Sequence, residues 1–153
     1  ILREIKALLD QFSLPPNLLT FEITEDVAIA NLTVASTFMS ELQRMGCYTA
    51  LDDFGVGYSS FSYLRELPVD IVKIDGSFVR NAETDPVNLA MVKAMNEVAH
   101  ALGKKTVAEY VENQEIFELL KTMGVDYVQG YHIGRPVIIN FDTMTRQVKK
   151  IVG

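Results

Sequence analysis

The arrangement that most restricts how this chain can fold is a repeated succession of short apolar strand, polar turn and amphipathic helix. From Leu18 onward it occurs five times, with strands expected at Leu18 to Thr24, Tyr48 to Asp53, Val69 to Ile74, Lys105 to Glu109 and Tyr127 to Gln129. Each segment is rich in Val, Ile, Phe or Tyr and short enough for a buried strand. Strands that alternate with helices belong to βα units built around parallel strands.

The helices carry end signals of their own. Val34, Ala35, Phe38, Met39 and Leu42 recur at helical spacing, and Gly46 follows as a stop. Asp85 before Pro86 reads as an N-cap with proline at the first helical position, opening a helix that runs to about Leu102 and stops at Gly103. Asn113 and Gly124 bracket the next helix. Ile1 to Phe12 is a further amphipathic stretch, with Leu2, Ile5, Leu8, Leu9 and Phe12 on one side and Pro15-Pro16 closing it. The pattern thus opens on a helix. A closed (β/α)8 barrel has eight strands in about 250 residues, so five units in 153 residues read as the latter part of such an α/β barrel, in one domain.

Charge and cysteine content narrow the function. A formal charge of -6 and a pI near 4.9 argue against DNA or RNA as partners, because proteins that neutralise phosphates usually show a basic face. A small anionic ligand stays open, since a bound cation can reverse the local field. The single Cys47, the lack of a signal-peptide pattern and the lack of a long apolar run give the expectation of a cytoplasmic segment without membrane contact of its own.

The chemistry-bearing residues stand where each strand runs out: Glu22 and Glu25, Asp52 and Asp53, Lys73 and Asp75, Glu109 and Glu112, then Gln129. In a parallel barrel these ends converge on one mouth. Any one such carboxylate is as readily a turn former or N-cap as a functional group. Recurrence across the strands points further, because carboxylates crowded together repel unless a cation neutralises them. With oxygen donors and no Cys/His cluster, Mg²⁺ or Mn²⁺ suits the set better than a structural zinc.

Lys73 is the one positive charge in a strand interior, and two-residue periodicity puts it on the face of Asp75. It is either a structural ion pair or a cation that steadies an attacking water or a phosphate; its place in an acidic mouth favours the second. His100, within a helix, reads as structural or solvent-facing, and His132, near the mouth, is weak evidence for a substrate contact. In the loop from Asp53 through Phe54, Gly55, Val56, Gly57, Tyr58 and Ser59 to Ser60, glycines permit unusual backbone and serines can cap a following helix. Gly-x-Gly alone is a poor phosphate-loop signal.

Taken together, Phe21-Glu22-Ile23-Thr24-Glu25, Asp52 to Ser60, Leu67 to Asp75, Ala108-Glu109-Tyr110-Val111-Glu112 and Gln129-Gly130-Tyr131 resemble the ordered motifs of EAL domains, over nearly the whole stretch from Leu18 to Pro136. The resemblance implies a TIM-like (β/α)8 barrel with one strand reversed, hydrolysing cyclic di-GMP to linear pGpG. It implies Glu22, Asp52 and Asp53 as metal ligands, Lys73 beside the attacking water, and Glu109 as general base or metal-site carboxylate. Gln129 would be a polar group of the same site, with Glu25 and Glu112 supporting it and Glu25 anchoring the loop from Asp53 to Ser60. Two divalent ions about 3.5 to 4 Å apart would activate water and stabilise attacking and leaving oxygens. A homodimer, and sensory or GGDEF domains in a parent chain that is itself membrane-anchored in some cases, also follow from the resemblance.

The chain also departs from the family. The Glu-Ala-Leu signature, a nearby arginine and an asparagine ligand are absent and would precede Ile1, so residues 1–153 are expected to form a partial EAL domain, weak or inactive alone and with an unpaired strand edge. Gly76 stands where arginine is common, so one surface or substrate interaction is expected to be missing, and Val56 replaces a threonine. Two further readings stay open: a degenerate cyclic di-GMP receptor, and a protein-interaction module that binds neither nucleotide nor metal. A Schiff-base enzyme using Lys73 fits the acidic surroundings poorly.

Overall fold

A computed structural model describes residues 1–57 and 61–138. Five strands, β1 (Thr20–Thr24), β2 (Tyr48–Phe54), β3 (Ile71–Ile74), β4 (Lys105–Ala108) and β5 (Tyr127–Val128), form one sheet in chain order. Every neighbouring pair is parallel. This is the expected succession of βα units, an open arc of a barrel whose edges are β1 and β5. Four strands are one or two residues shorter than the expected ranges, Pro16–Leu18, for instance, being a 3₁₀ turn, and β2 runs one residue beyond its range, to Phe54.

Four helices match the sequence signals: α1 (Leu2–Phe12), α3 (Leu32–Arg44), α5 (Pro86–Ala101) and α6 (Gln114–Thr122). Asp85 caps α5 by accepting from the Val87 amide at 2.8 Å, and Asn113 caps α6 by accepting from Ile116 at 2.8 Å. Two short helices, α2 (Glu25–Ala30) and α4 (Gly76–Val79), have too few turns to leave a periodic signal. Between β2 and β3 the described residues hold only the 3₁₀ turn Tyr63–Arg65 in place of the expected helix; Ser59 and Ser60, the proposed caps, lie outside the described residues. No helix among the described residues is long and apolar enough to cross a membrane.

Period-two alternation divides the sheet. Leu51, Val72, Ile74 and Ala108 are buried and join Met39, Leu42, Val92, Met95 and Leu120 of the helices in one core. Only Leu9 of α1 is buried; Leu2 and Ile5 pack partly, while Leu8 and Phe12 are exposed, so the apolar side of α1 is covered along one edge.

Where strands begin, one device occurs twice. Asp70, just before β3, accepts from the Thr49 amide at 2.8 Å and the Gln43 amide group at 2.9 Å. Asp126, just before β5, accepts from the Thr106 amide at 2.9 Å and meets His100 Nε2 at 2.7 Å. Each aspartate thus ties a strand to its neighbour and to the helix that precedes that neighbour, which gives His100 a structural place. Desolvation opposes ionisation of Asp126, but Lys105, the Thr106 amide and His100 outweigh it and hold the carboxyl well below its usual range.

A carboxylate held low in the folded state contributes stability above its unfolded pKa, near 4, and that contribution is lost as pH falls toward the folded value. Asp126→Asn is therefore expected to lower the melting temperature at pH 7 by about 2–4 °C, with the gap narrowing below pH ~4. Equal melting temperatures at pH 7 would remove the strand-tying role.

Candidate active site

The face of the sheet opposite the helix core carries Glu22, Asp52, Lys73 and Glu109 from four successive strands or strand ends. Lys73 is buried, and its ammonium lies 2.9 Å from Glu22 Oε2, 2.8 Å from Asp52 Oδ1 and 2.9 Å from Glu109 Oε1. Burial opposes its charge, but Asp52, Glu109 and Glu22 more than compensate and raise its pKa well above the usual lysine value. The three carboxylates thus favour the charged ammonium, which fits a free-amine nucleophile poorly.

Asp52 and Asp53 are adjacent, and in a regular strand they would face opposite ways. The structure prevents this at Asp53, whose φ of 56° is left-handed, beside a register shift between Leu51 and Phe54. Ligand atoms of Asp52, Asp53 and Glu109 consequently lie within 4.8 Å of one another. Burial, together with the Asp52 and Asp53 charges, pushes Glu109 up against the opposing pull of Lys73. Desolvation and the carboxylates of Asp52 and Asp75 raise Asp53. Asp52 Oδ1 is buried against the Lys73 ammonium. Crowded carboxylates with raised proton affinity are the environment that a divalent cation relieves, and the all-oxygen donor set suits a hard cation. Glu22 meets this group through Lys73.

Glu25 is fully buried at the start of α2. Its carboxylate accepts from the Gly55 amide at 2.9 Å, from the Gly57 amide at 3.4 Å and from the Tyr63 hydroxyl. It thereby ties down the turn that follows Asp53. Gly55 has φ +105°, and a Cβ there would meet Met95 Cε at 2.3 Å, so the turn also seats on α5. Phe54 is buried in the core with its ring 5.8 Å from Phe61; Tyr58 and Ser59 lie outside the described residues.

Other expected site residues stand beside the cluster. Asp75 caps α4 by accepting from the Ser77 amide at 2.8 Å. It also lines a cavity of about 430 Å³ with Glu109, Tyr110 and Arg80. Glu112 and Gln129, both exposed, line a second cavity of about 220 Å³ with Glu109 and Tyr110. His132 contacts Gln114 Oε1 at 3.0 Å and packs near Phe117 of α6. Sequence reasoning missed Tyr63, the third partner of Glu25, and the Arg80–Tyr110 stack beside Glu109, with 3.8 Å from guanidinium to ring centre. Neither has a motif signal; the glycine at position 76 was the one visible trace of the second.

The model of the EAL domain family matches residues 1–136. The chain belongs to the EAL domain family. It is 50% identical over 125 residues to the cyclic di-GMP phosphodiesterase PdeB of Shewanella oneidensis, covering 82% of this chain and 15% of that protein. Against the cyclic di-GMP phosphodiesterase PdeF of Escherichia coli K12 it is 41% identical over 133 residues, covering 87% of this chain and 18% of that protein. The chain thus spans less than a fifth of the length of these relatives. The EAL domain of Mycobacterium smegmatis DcpA superposes with a TM-score of 0.86 at 34% identity, covering 97% of this chain and 66% of that one. The FimX EAL domain of Pseudomonas aeruginosa, solved bound to c-di-GMP, gives a TM-score of 0.82 at 30% identity, covering 88% of this chain and 55% of that one. The EAL match begins at Ile1, so it takes in α1 as well as the motifs from Leu18 onward.

Glu25→Ala would leave two backbone donors and a hydroxyl without their buried acceptor, and is expected to destabilise the protein by about 2–3 kcal/mol in urea unfolding. A change below about 0.5 kcal/mol would show that the turn does not depend on this anchor.

Proposed function

We propose that the protein carrying this chain is a metal-dependent phosphodiesterase that hydrolyses cyclic di-GMP to linear pGpG. The observation that carries the reading is the cluster of Asp52, Asp53 and Glu109, two of which, Asp52 and Glu109, also hold the ammonium of Lys73, in an EAL domain with relatives named as cyclic di-GMP phosphodiesterases.

On this reading Asp52 and Asp53, with Glu22 and Glu109 near by, hold Mg²⁺ or Mn²⁺, which when bound supplies Lewis-acid polarisation and lowers the pKa of the attacking water. Glu109 would take the proton from that water, its raised pKa making it a stronger base than an ordinary carboxylate. Water oxygen would bond to phosphorus as the bond to the 3′ oxygen of one ribose breaks, that oxygen taking up a proton to leave as a hydroxyl and a 5′-phosphate remaining on the other ribose. Lys73 offers fixed positive charge to the phosphoryl oxygens, and because its three carboxylate partners hold it in place it need not reorganise as charge develops. The turn anchored by Glu25, and the exposed Glu112 and Gln129, border the same mouth. Remaining ligands come from sequence outside residues 1–153, so these residues alone turn over weakly or not at all. Homodimerisation, a cytoplasmic location and neighbouring sensory or GGDEF domains belong to the same proposal.

Assay of the intact protein with cyclic di-GMP and Mg²⁺ or Mn²⁺ is expected to yield pGpG, to stop with EDTA, and to fall by about 10²–10⁴-fold in kcat for Glu109→Ala. Nucleotide binding without turnover would replace the enzyme by a receptor; neither binding nor turnover would leave a protein-interaction domain.

A further inference from the structure

Glu109 is followed by a residue in an unusual backbone state. Tyr110 has a φ of 61°, as Asp53 after Asp52 has 56°, so both strand-end carboxylates of the cluster are succeeded by a left-handed residue. At Asp53 that turn brings a second carboxylate into the cluster. At Tyr110 the side chain leaves toward α4, where no metal-binding atom is gained, and the turn serves the residue before it.

The backbone around Tyr110 has little freedom. The Glu109 amide donates to Ile74 O at 3.2 Å and the Val111 amide to Gln129 O at 3.0 Å. Gly130 lies against Val111 so closely that a Cβ on it would stand 2.2 Å from Val111 O. On the other side, α4 grips the tyrosine with two residues one turn apart. The Arg80 guanidinium stacks on its ring, and the buried Gly76 abuts the root of its side chain. A Cβ at position 76 would lie 2.6 Å from Tyr110 Cβ and 3.2 Å from its Cγ. Tyr110 Cβ is fixed to the backbone and cannot swing aside as the end of a long side chain would. With Val111 held by Gln129 and Gly130, the displacement passes to Glu109.

We propose that Gly76 is a positioning residue: its missing side chain lets Tyr110 hold the left-handed turn that aims Glu109 at Lys73, so positions 76 and 110 work as a matched pair. The glycine at 76 is then the counterpart of a bulky residue at 110, and its effect reaches beyond the surface. Its catalytic consequence rests on the phosphodiesterase reading; its geometric consequence does not.

The test uses the intact protein with Gly76→Ala and with Gly76→Ala combined with Tyr110→Gly, in which the clashing atoms are gone and glycine holds a positive φ without strain. In crystal structures, Gly76→Ala is expected to part Glu109 from Lys73 beyond about 3.5 Å, and the double variant to restore their contact. Turnover of cyclic di-GMP is expected to fall about 10–100-fold in kcat with little change in KM, as for a reacting group misplaced by about 1 Å, and to recover most of that loss in the double variant. A merely structural role would lower the melting temperature of both variants and give no rescue. An unchanged Lys73–Glu109 contact in Gly76→Ala, or a folded double variant without recovery, overturns the proposal. If Gly76→Ala does not fold, Tyr110→Val, which leaves position 76 open but cannot hold the turn, is expected to show the same loss, and wild-type turnover there overturns it. A wild-type protein without turnover sinks the functional reading, and the crystallographic distances then decide the pairing by themselves.

Discussion

A buried ammonium organises this molecule. Lys73 sits at about 7% exposure, and an unpaired charge there would be costly enough to favour its neutral form or its expulsion. It is retained because three carboxylates reach it from β1, β2 and the end of β4, two of them from strands that flank β3. A register slip of one residue in any of these strands would turn its carboxylate to the helix core and strand the lysine. Whether such an ion network adds net stability over an apolar alternative is a separate matter from what it specifies. Here it specifies which residues share one face.

The two ends of the sheet are built on different terms. At the strand starts, Asp70 and Asp126 accept backbone and side-chain donors, so their charges are satisfied within the chain. At the strand ends, ligand atoms of Asp52, Asp53 and Glu109 lie within 4.8 Å of one another, and a single ammonium is shared by Asp52, Glu109 and Glu22. One end is electrostatically closed and the other is left unbalanced. Backbone strain follows the same division among the β strands: Asp53 and Tyr110, the left-handed non-glycine residues adjoining them, both stand at the unbalanced end. Such residues cost of order 1–3 kcal/mol each and persist where surrounding contacts over-determine them, as the Glu25-anchored turn and the α4 grip do here.

How much of this was legible in the sequence depends on the range of the interaction. Strands and long helices were, because periodicity and caps such as Asp85-Pro86 and Asn113 are local. The strand-end polar residues were, because parallel units bring like ends together whatever the loops do. Asp75 shows where that reasoning stops: period-two placement put it on the face of Lys73, but the strand ends at Ile74 and its carboxylate turns to cap α4. The left-handed turn at Tyr110 had no local signature, since tyrosine does not mark a positive φ and Gly76, which abuts it, lies 34 residues earlier. Tyr63 gave no sign of its bond to Glu25, as the two approach only after β2 has folded back along β1.

Charge accounting decides what the unbalanced end can receive. Glu22, Asp52, Asp53 and Glu109 set four formal negative charges against the one positive charge of Lys73. Three remain, and a phosphodiester bearing its own negative charge would be repelled by them. One divalent cation reduces the excess to a single negative charge and a second makes the mouth net positive. Lys73 alone therefore cannot prepare the site for an anionic substrate. Its place at the centre of the carboxylates, instead of at their outer rim, means that it fixes their positions while leaving their outer oxygens for cations. On the proposed function the lysine and a metal would be complementary in role: the first builds the acidic cluster, and the second would convert it into a site for a phosphate.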